Sequence, residues 1–378
     1  MSVSAAANVG WSLLSGGLRR EAQTEPRLSG GRQPSAADAP VTGAHPIIAT
    51  LERIMAGPGC PHGSELARSA ARRLLSHIQQ LHLPARHLWS IVDPAGQVLG
   101  GALAIPSPGR AAQVLASRPA TGEETIATAS AVTAATAGLS PAEAAIAQAV
   151  LDEAETDSAL GGRRGAFLAA RFEELAVLDY LSRPLPRRGE SPRPTLPAGV
   201  AITAWRRGEP TLLEVLEASY VGTLDCPRLC GLRRTEDILV GHLAAGRFVS
   251  GLWSLLWERQ RPVGALLLSP SHSGGEIDLV YLGLSPEARG RGLGRLLLSH
   301  GLHQIAGRRE GRIALAVDRA NAPAVRLYER LGFVKACSRL AVIKPLSANG
   351  APHGVGHPGG LHAARAGLSE APSTAAPR

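Results

Sequence analysis

Lysine, cysteine and aromatic residues are scarce in this chain of 378 residues. Only Lys335 and Lys344 are lysines among 40 basic residues, so the net charge of +9 is almost wholly arginine. With alanine and glycine so abundant, that imbalance reads as the base-composition bias of a G+C-rich genome more than as selected chemistry. The attraction it offers is to an anion, either a phosphorylated cofactor or nucleic acid. The basic residues form no single block and aromatics make up 3% of the chain, which argues against nucleic-acid binding by base stacking. The four cysteines, Cys60, Cys226, Cys230 and Cys337, are too few for a disulfide scaffold. Cys226-Pro-Arg-Leu-Cys230 has loose metal-ligand spacing, but no second close pair completes a site. No metal is therefore expected, and the thiols read as buried and free in a reducing cytoplasm. No apolar run reaches membrane-spanning length, so no membrane partner is expected either. The first forty-odd residues contain Arg19, Arg20, Arg27 and Arg32 but no apolar core or clean cleavage site. They read as a leader or an over-extended start, not as a secretory signal.

Hydrophobic residues make up 44% and charged residues 19% of the chain, enough for two ordinary domains with sizeable cores. Residues 1–45 and 347–378 are rich in Gly, Ser, Ala and Pro without a sustained period, and are expected to be a disordered leader and tail. A Pro/Arg-rich linker at 184–197 separates two bodies of similar size, 46–183 and 198–346.

The two bodies resemble each other. Leu88-Trp89-Ser90-Ile91-Val92 matches Leu252-Trp253-Ser254-Leu255-Leu256 at an offset of 164 residues. Gly100-Gly101-Ala102-Leu103 lies over Gly264-Ala265-Leu266-Leu267 at the same offset, and Pro106 over Pro270. Phe172 then pairs with Phe333, and Pro184-Leu185 with Pro345-Leu346, at an offset of 161. One offset that holds through a hairpin and then slips by a few residues is the mark of a duplicated domain with a small indel. At these offsets Arg289 to Gly294 falls on Thr125 to Ser130, which contains no glycine, Tyr328 falls on Phe167 and Asn321 on Leu160. The first body thus reads as a degenerate structural copy.

The second body has an α/β pattern. Leu212–Tyr220 and Asp237–Ala245 read as helices. Val249–Trp257 and Pro262–Leu268 read as strands joined by the polar turn Glu258-Arg259-Gln260-Arg261. Glu276–Leu284 reads as a third strand, followed by the loop Arg289-Gly290-Arg291-Gly292-Leu293-Gly294 and a helix with Leu296, Leu297 and Ile305 on one face. Ile313–Val317 is a fourth strand. Pro323–Leu331 is a short helix with proline in its first turn and Gly332 just past its end, and Phe333–Ile343 returns to strand. A strand that ends in a glycine loop at a helix start can cradle a pyrophosphate, because free N–H groups and the positive end of the helix dipole meet there. Arg289, Arg291 and Arg295 would add charge around that anion. Alone, such a loop suits a simple turn as well as a ligand site.

Two motifs together carry a resemblance. Arg289, Gly292 and Gly294 match an Arg/Gln-x-x-Gly-x-Gly/Ala loop. Asn321, Ala324, Leu327, Tyr328, Gly332 and Phe333 match Asn-x-x-Ala-x-x-Leu-Tyr-x-x-x-Gly-Phe. Residues 279–333 in this respect resemble the GNAT superfamily of N-acetyltransferases. The resemblance implies an α/β fold of two tandem acetyltransferase-like lobes. Each would be a mixed, mostly antiparallel sheet flanked by helices, with the N-terminal lobe degenerate. It implies acetyl-CoA as co-substrate, held by Leu282, Leu284, Arg289, Gly290, Arg291, Gly292, Leu293, Gly294, Arg295 and Asn321. Transfer to a primary amine would occur by direct attack in a ternary complex. Glu276 is the candidate base, with Asp278 two residues on along the same side of the strand. A backbone N–H around Leu282–Leu284 would meet the oxyanion, and Tyr328 would return a proton to the thiolate. Tyr220 and Asp225 are candidate acceptor contacts, although an aspartate in that loop suits a turn equally well. His242 and His300 read as surface or helix-packing residues. A small amine is the favoured acceptor. A peptide N-acetyltransferase, a non-catalytic acyl-CoA sensor and, behind these, a basic nucleic-acid binder stay open. The oligomeric state is open as well.

Overall fold

The computed structural model describes residues 45–57, 62–80, 82–83, 85–152 and 162–346. The expected leader and tail, and Cys60, lie outside them. Eleven strands form one continuous sheet. The first half supplies α1 (His45–Met55), α2 (Glu65–Gln80), β1 (Leu88–Val92), β2 (Val98–Ser107), β3 (Ala111–Ala116), α3 (Gly122–Ala137), β4 (Ile146–Asp152), α4 (Gly162–Ala169) and β5 (Glu173–Pro184). The second half supplies β6 (Val200–Ala204), α5 (Thr211–Tyr220), α6 (Thr235–Ala244), β7 (Trp253–Glu258), β8 (Arg261–Pro270), β9 (Glu276–Leu284), α7 (Leu293–Gln304), β10 (Arg312–Asp318), α8 (Ala322–Arg330) and β11 (Val334–Pro345). Among the described residues no helix is long and apolar enough to cross a membrane.

The strand order is β1-β2-β3-β4-β11-β5-β10-β9-β8-β7-β6. The last strand of each half is exchanged. β5 leaves its own half to pair with β10, and β11 crosses back to pair with β4. At the seam β5 and β11 run antiparallel with Leu178 opposite Arg339. These two residues are 161 positions apart, the offset read from the sequence, so a pseudo-twofold axis passes between them. Val177 opposite Leu340 and Asp179 opposite Ser338 are the pairs this axis exchanges. The linker 184–197 therefore follows a strand that already lies inside the second lobe's part of the sheet.

Alternation along β5 divides the two faces. Val177 and Leu181 join the cores under α3 and α7. Leu178 and Tyr180 face the opposite side, where the segment after α5 and the start of α6 cover the seam with Cys226, Leu229 and Ile238. Asp179 sits between Val177 and Leu181, almost fully buried. It accepts hydrogen bonds from the Arg319 guanidinium at 3.1 Å and from Ser338 Oγ at 2.7 Å. One carboxylate of the first half thus ties together β10 and β11 of the second, as a buried acid must be paired to persist. The cysteines differ from their sequence reading. Cys226 is buried, but Cys230 is exposed and Cys337 is half-buried.

The exchange makes each lobe's sheet incomplete without the other. Residues 198–346 expressed alone are expected to lose the strand between β10 and β11 and to be unfolded or self-associated by circular dichroism and size-exclusion chromatography. Mixing with residues 45–197 should restore a folded, monodisperse species.

Candidate functional site

The site begins with a divergence of two strands. β9 and β10 are parallel and pair only through Glu276–Arg312, Ile277–Ile313 and Asp278–Ala314. β10 stays with β5 along its whole length to Asp318, whereas β9 stays with β8 to Leu284. A bulge places Leu267 opposite Tyr281 and Leu268 opposite Leu279, just past the point where β9 and β10 part. Past Asp278, the main chain of Leu279–Leu284 has no ladder partner on the β10 side. Leu282 and Leu284, both half-buried, lie along this opened edge.

The loop after β9 closes the notch at one end. Gly290 and Gly292 have φ values of +72° and +79°, which L side chains adopt only with strain. A Cβ built on either would meet nothing within 4 Å, so their surface is open to a ligand. Gly292 is the N-cap of α7. It offers no side chain to the free N–H groups, and the first turn, with Leu293, Gly294 and Arg295, contains no acid.

The first lobe treats the matching helix start differently. Thr121 Oγ accepts from Glu124 N–H at 3.2 Å, and the Glu124 carboxylate accepts from Ala120 N–H at 2.6 Å. The same carboxylate pairs with Arg53 at 2.7 Å. With a carboxylate already bound at this helix start, the place an anion would take is filled. The structure also corrects the sequence alignment. Thr125–Ser130 lie inside α3, and the counterpart of the glycine loop is the shorter Ser117–Thr121, which has no glycine either.

The arginines of the loop are not equivalent. Arg289 donates to three main-chain carbonyls, from Nε to Leu284 O at 3.1 Å, from Nη1 to Gly222 O at 2.9 Å and from Nη2 to Ser219 O at 2.8 Å. It fastens the loop to the end of α5. Arg291 pairs with Glu258 at 2.5 Å. Arg295 is exposed and makes no ion pair with any described residue. Asn321 caps α8, its Oδ1 accepting from Ala324 N–H at 3.3 Å. It thereby holds the start of the helix that carries Tyr328.

Tyr328 is buried against Phe333, edge to face with centroids 5.7 Å apart. Burial holds its phenol protonated well above the ordinary range, and the charges of Asp225 and Tyr281 act in the same sense. The equivalent residues of the first lobe, 161 positions earlier, are Phe167 and Phe172, also edge to face at 4.9 Å. The packing is kept there and the hydroxyl is not.

The two acids of β9 have unequal surroundings. Glu276 is paired with Arg312 at 2.5 Å in the closed part of the ladder. Asp278 stands at the vertex, in the last pair before the strands part. Burial first, then the Glu276 charge, raises its carboxyl to about 8 against the opposing pull of Arg312. The sequence named Asp278 only as a neighbour of Glu276, because burial is invisible in a period-two pattern.

On the acceptor side, Asp225 Oδ1 accepts from Asp318 N–H at 3.0 Å, while Asp318 Oδ2 accepts from Cys226 N–H at 3.1 Å. This reciprocal clamp ties the segment after α5 to the tip of β10, and burial raises the Asp225 carboxyl. Asp225 thus holds the segment after α5 beside the notch. The Tyr220 ring meets Tyr281 edge to face with centroids 6.4 Å apart, and its hydroxyl is buried without a partner. Tyr281 bonds Ser219 Oγ at 2.5 Å. The sequence reading missed Tyr281, which lies next to the bulge. His242 is buried within α6 rather than at the surface. Among the described residues no cluster of His, Cys, Asp and Glu could hold a metal ion.

Residues 224–333 match the profile of the Acetyltransferase (GNAT) family. The second lobe thus carries a segment similar to the GNAT family. Among curated relatives, the mycothiol acetyltransferase of Rhodococcus opacus is 31% identical over 172 residues, 45% of this chain and 51% of the relative. That of Thermomonospora curvata is 33% identical over 171 residues, 44% of this chain and 54% of the relative. That of Acidothermus cellulolyticus is 48% identical over 66 residues, 17% of this chain and 20% of the relative. The chain thus spans about half the length of the curated relatives it matches most extensively. Among solved structures, a GCN5-related N-acetyltransferase from Sphaerobacter thermophilus aligns with a TM-score of 0.47 at 19% identity, covering 80% of this chain and 91% of that one.

The GNAT loop predicts an asymmetry between its glycines. Gly292→Ala should lower the unfolding free energy by about 1–2 kcal/mol, the cost of a Cβ in the left-handed region. Gly294→Ala should be nearly neutral, because its Cβ would meet Leu327 at 3.6 Å and Leu284 at 3.7 Å, ordinary contact distances. Urea denaturation of both variants measures the difference.

Proposed function

We propose that the chain is an acetyl-CoA-dependent N-acetyltransferase whose acceptor is a small primary amine. The observation that carries this reading is the notch itself. An open helix N-terminus and a positive-φ glycine loop adjoin an unladdered strand edge, with a buried phenol nearby. The α7 amides and Arg295 suit the pyrophosphate, and the free edge of Leu282–Leu284 suits the pantetheine and the developing oxyanion. The relatives' name, mycothiol acetyltransferase, supports acetyl as the transferred group. Against a sensor stands the retained hydroxyl of Tyr328, which thioester binding alone does not need.

In the proposed reaction the neutral amine attacks the thioester carbonyl. A carbon–nitrogen bond forms, the carbon–sulfur bond breaks, the ammonium proton passes to Asp278, and the thiolate takes a proton from Tyr328. Burial keeps the Tyr328 phenol protonated until the thiolate leaves. A carboxyl raised to about 8 suits proton acceptance at mildly alkaline pH. A small acceptor is favoured because the first lobe covers this side. The β2–β3 turn lies against α6, where Arg110 pairs with Asp237 at 3.3 Å and Arg233 Nη1 donates to Gly109 O at 2.9 Å. Turnover of peptide N-termini with no turnover of small amines would contradict that preference.

Tyr328→Phe should lower kcat about 100-fold while leaving the acetyl-CoA dissociation constant within about threefold, read by thiol release and calorimetry. For Asp278 the sign of the pH dependence is defined. Activity of the wild type should rise through about pH 8, and Asp278→Asn should remove that rise. Because the folded carboxyl keeps its proton to a higher pH than the unfolded one, Asp278 costs stability increasingly from about pH 4 to about 8. Asp278→Asn should accordingly flatten the fall in unfolding free energy over that interval.

A further inference from the structure

Behind Tyr281, at the junction of the two lobes, three polar side chains have buried atoms without partners. They are Tyr220 Oη, Arg233 Nε and both ring nitrogens of His242. The three belong to one neighbourhood. The Arg233 charge acts on both Tyr220 and His242. Arg233 Nη1 lies 3.9 Å from where a Cβ on Gly241, the residue before His242, would stand. The rings of Tyr220 and His242 lie 6.4 and 5.4 Å from that of Tyr281.

Arg233 is held by one corner only. Nη1 is anchored on Gly109 O of the first lobe at 2.9 Å, and no described carboxylate pairs with the guanidinium. Asp237, whose charge reaches it, pairs instead with Arg110 at 3.3 Å. Tyr281, Glu217 and Cys230, the other titratable groups whose charges act on Tyr220, form no hydrogen bond with Arg233 either. The Nε–Nη2 edge of a guanidinium carries two parallel donors spaced for the two oxygens of a carboxylate. Beside it stand a phenol donor and a neutral imidazole, which burial and the Arg233 charge keep unprotonated. A buried charge and buried polar groups left unmatched are costly, and this set of donors fits a planar anion.

We propose that the acceptor carries a carboxylate, bound by the Nε–Nη2 edge of Arg233 with Tyr220 Oη and His242, while its amine reaches the notch past Tyr281. The inference rests on the transferase reading and narrows its substrate class to amino acids or their derivatives. Arg233 is here a specificity determinant and takes no part in bond making.

The test uses the full chain with acetyl-CoA and two matched series, the ω-amino acids from glycine upward and the n-alkylamines of the same carbon count. At the chain length that spans the two sites, the acid should have a kcat/KM roughly tenfold or more above its alkylamine. Arg233→Gln should remove that preference through KM and leave the alkylamine rate unchanged. Arg233→Lys keeps a charge and a donor to Gly109 O but not the paired edge, and should also lose the preference. Equal use of acid and alkylamine at every length, or equal slowing of both series by the substitutions, would overturn the inference while leaving the transferase reading standing. Calorimetry with the N-acetylated ω-amino acids reads the site without turnover. Binding at least tenfold weaker in Arg233→Gln supports the inference, and no binding by the wild type overturns it. Absence of acetyl-CoA uptake, measured on its own, would instead count against the transferase.

Discussion

Everything at the site follows from the ladder between β10 and β5. A strand must satisfy its backbone N–H and C=O groups somewhere. β10 does so over its full length with β5, a strand contributed by the first half of the chain. It therefore parts from β9 after only three pairs, while β9 follows β8. The opened strand edge is the consequence of that divided loyalty. In this molecule the degenerate lobe builds the other lobe's notch by lending it a strand. The buried Asp179, bonded to Arg319 and Ser338, holds that loan in register.

The duplication shows what was retained and what was lost. The exchanged strands meet at equivalent residues, Leu178 and Arg339, so the architecture is symmetric. The aromatic pair at the second lobe's notch, Tyr328 with Phe333, persists as Phe167 with Phe172. Chemistry diverged on top of the shared frame. One helix N-terminus is bare and glycine-lined, whereas the other is closed by Thr121, Glu124 and Arg53. The edge regions diverged too. Trp253 is fully buried between Trp205 and Phe248, while its counterpart Trp89 on β1 is exposed, because among the described residues no strand pairs with β1 on its outer side as β6 pairs with β7.

Much of this was legible in the sequence, for reasons that are local. Alternating apolar residues and turn chemistry marked β7 to β10, and the two offsets marked the repeat. Glycine at positions of positive φ and the Asn-to-Phe element marked the site, because both impose short-range patterns. The strand exchange was not legible, since offsets report equivalence and not which copy a strand pairs with. Side-chain partners were not legible either, because tertiary neighbours decide them. Arg289 turned inward to three carbonyls, Arg291 to Glu258, Glu276 to Arg312 and Asn321 to the cap of α8. Arg233, His242 and Tyr281 carried no motif at all. Their interest arises only from being buried together where the two lobes meet.

Amide hydrogen exchange of the full chain, with and without acetyl-CoA, tests the central claim most directly, since it reads both helix N-termini and the free strand edge in one measurement. The account predicts added protection on the main-chain N–H groups of Leu282 to Leu284 and of Gly290 to Arg295, with no change over Ala120 to Glu124. Protection confined to the first lobe's helix start, or no change at either, would contradict it.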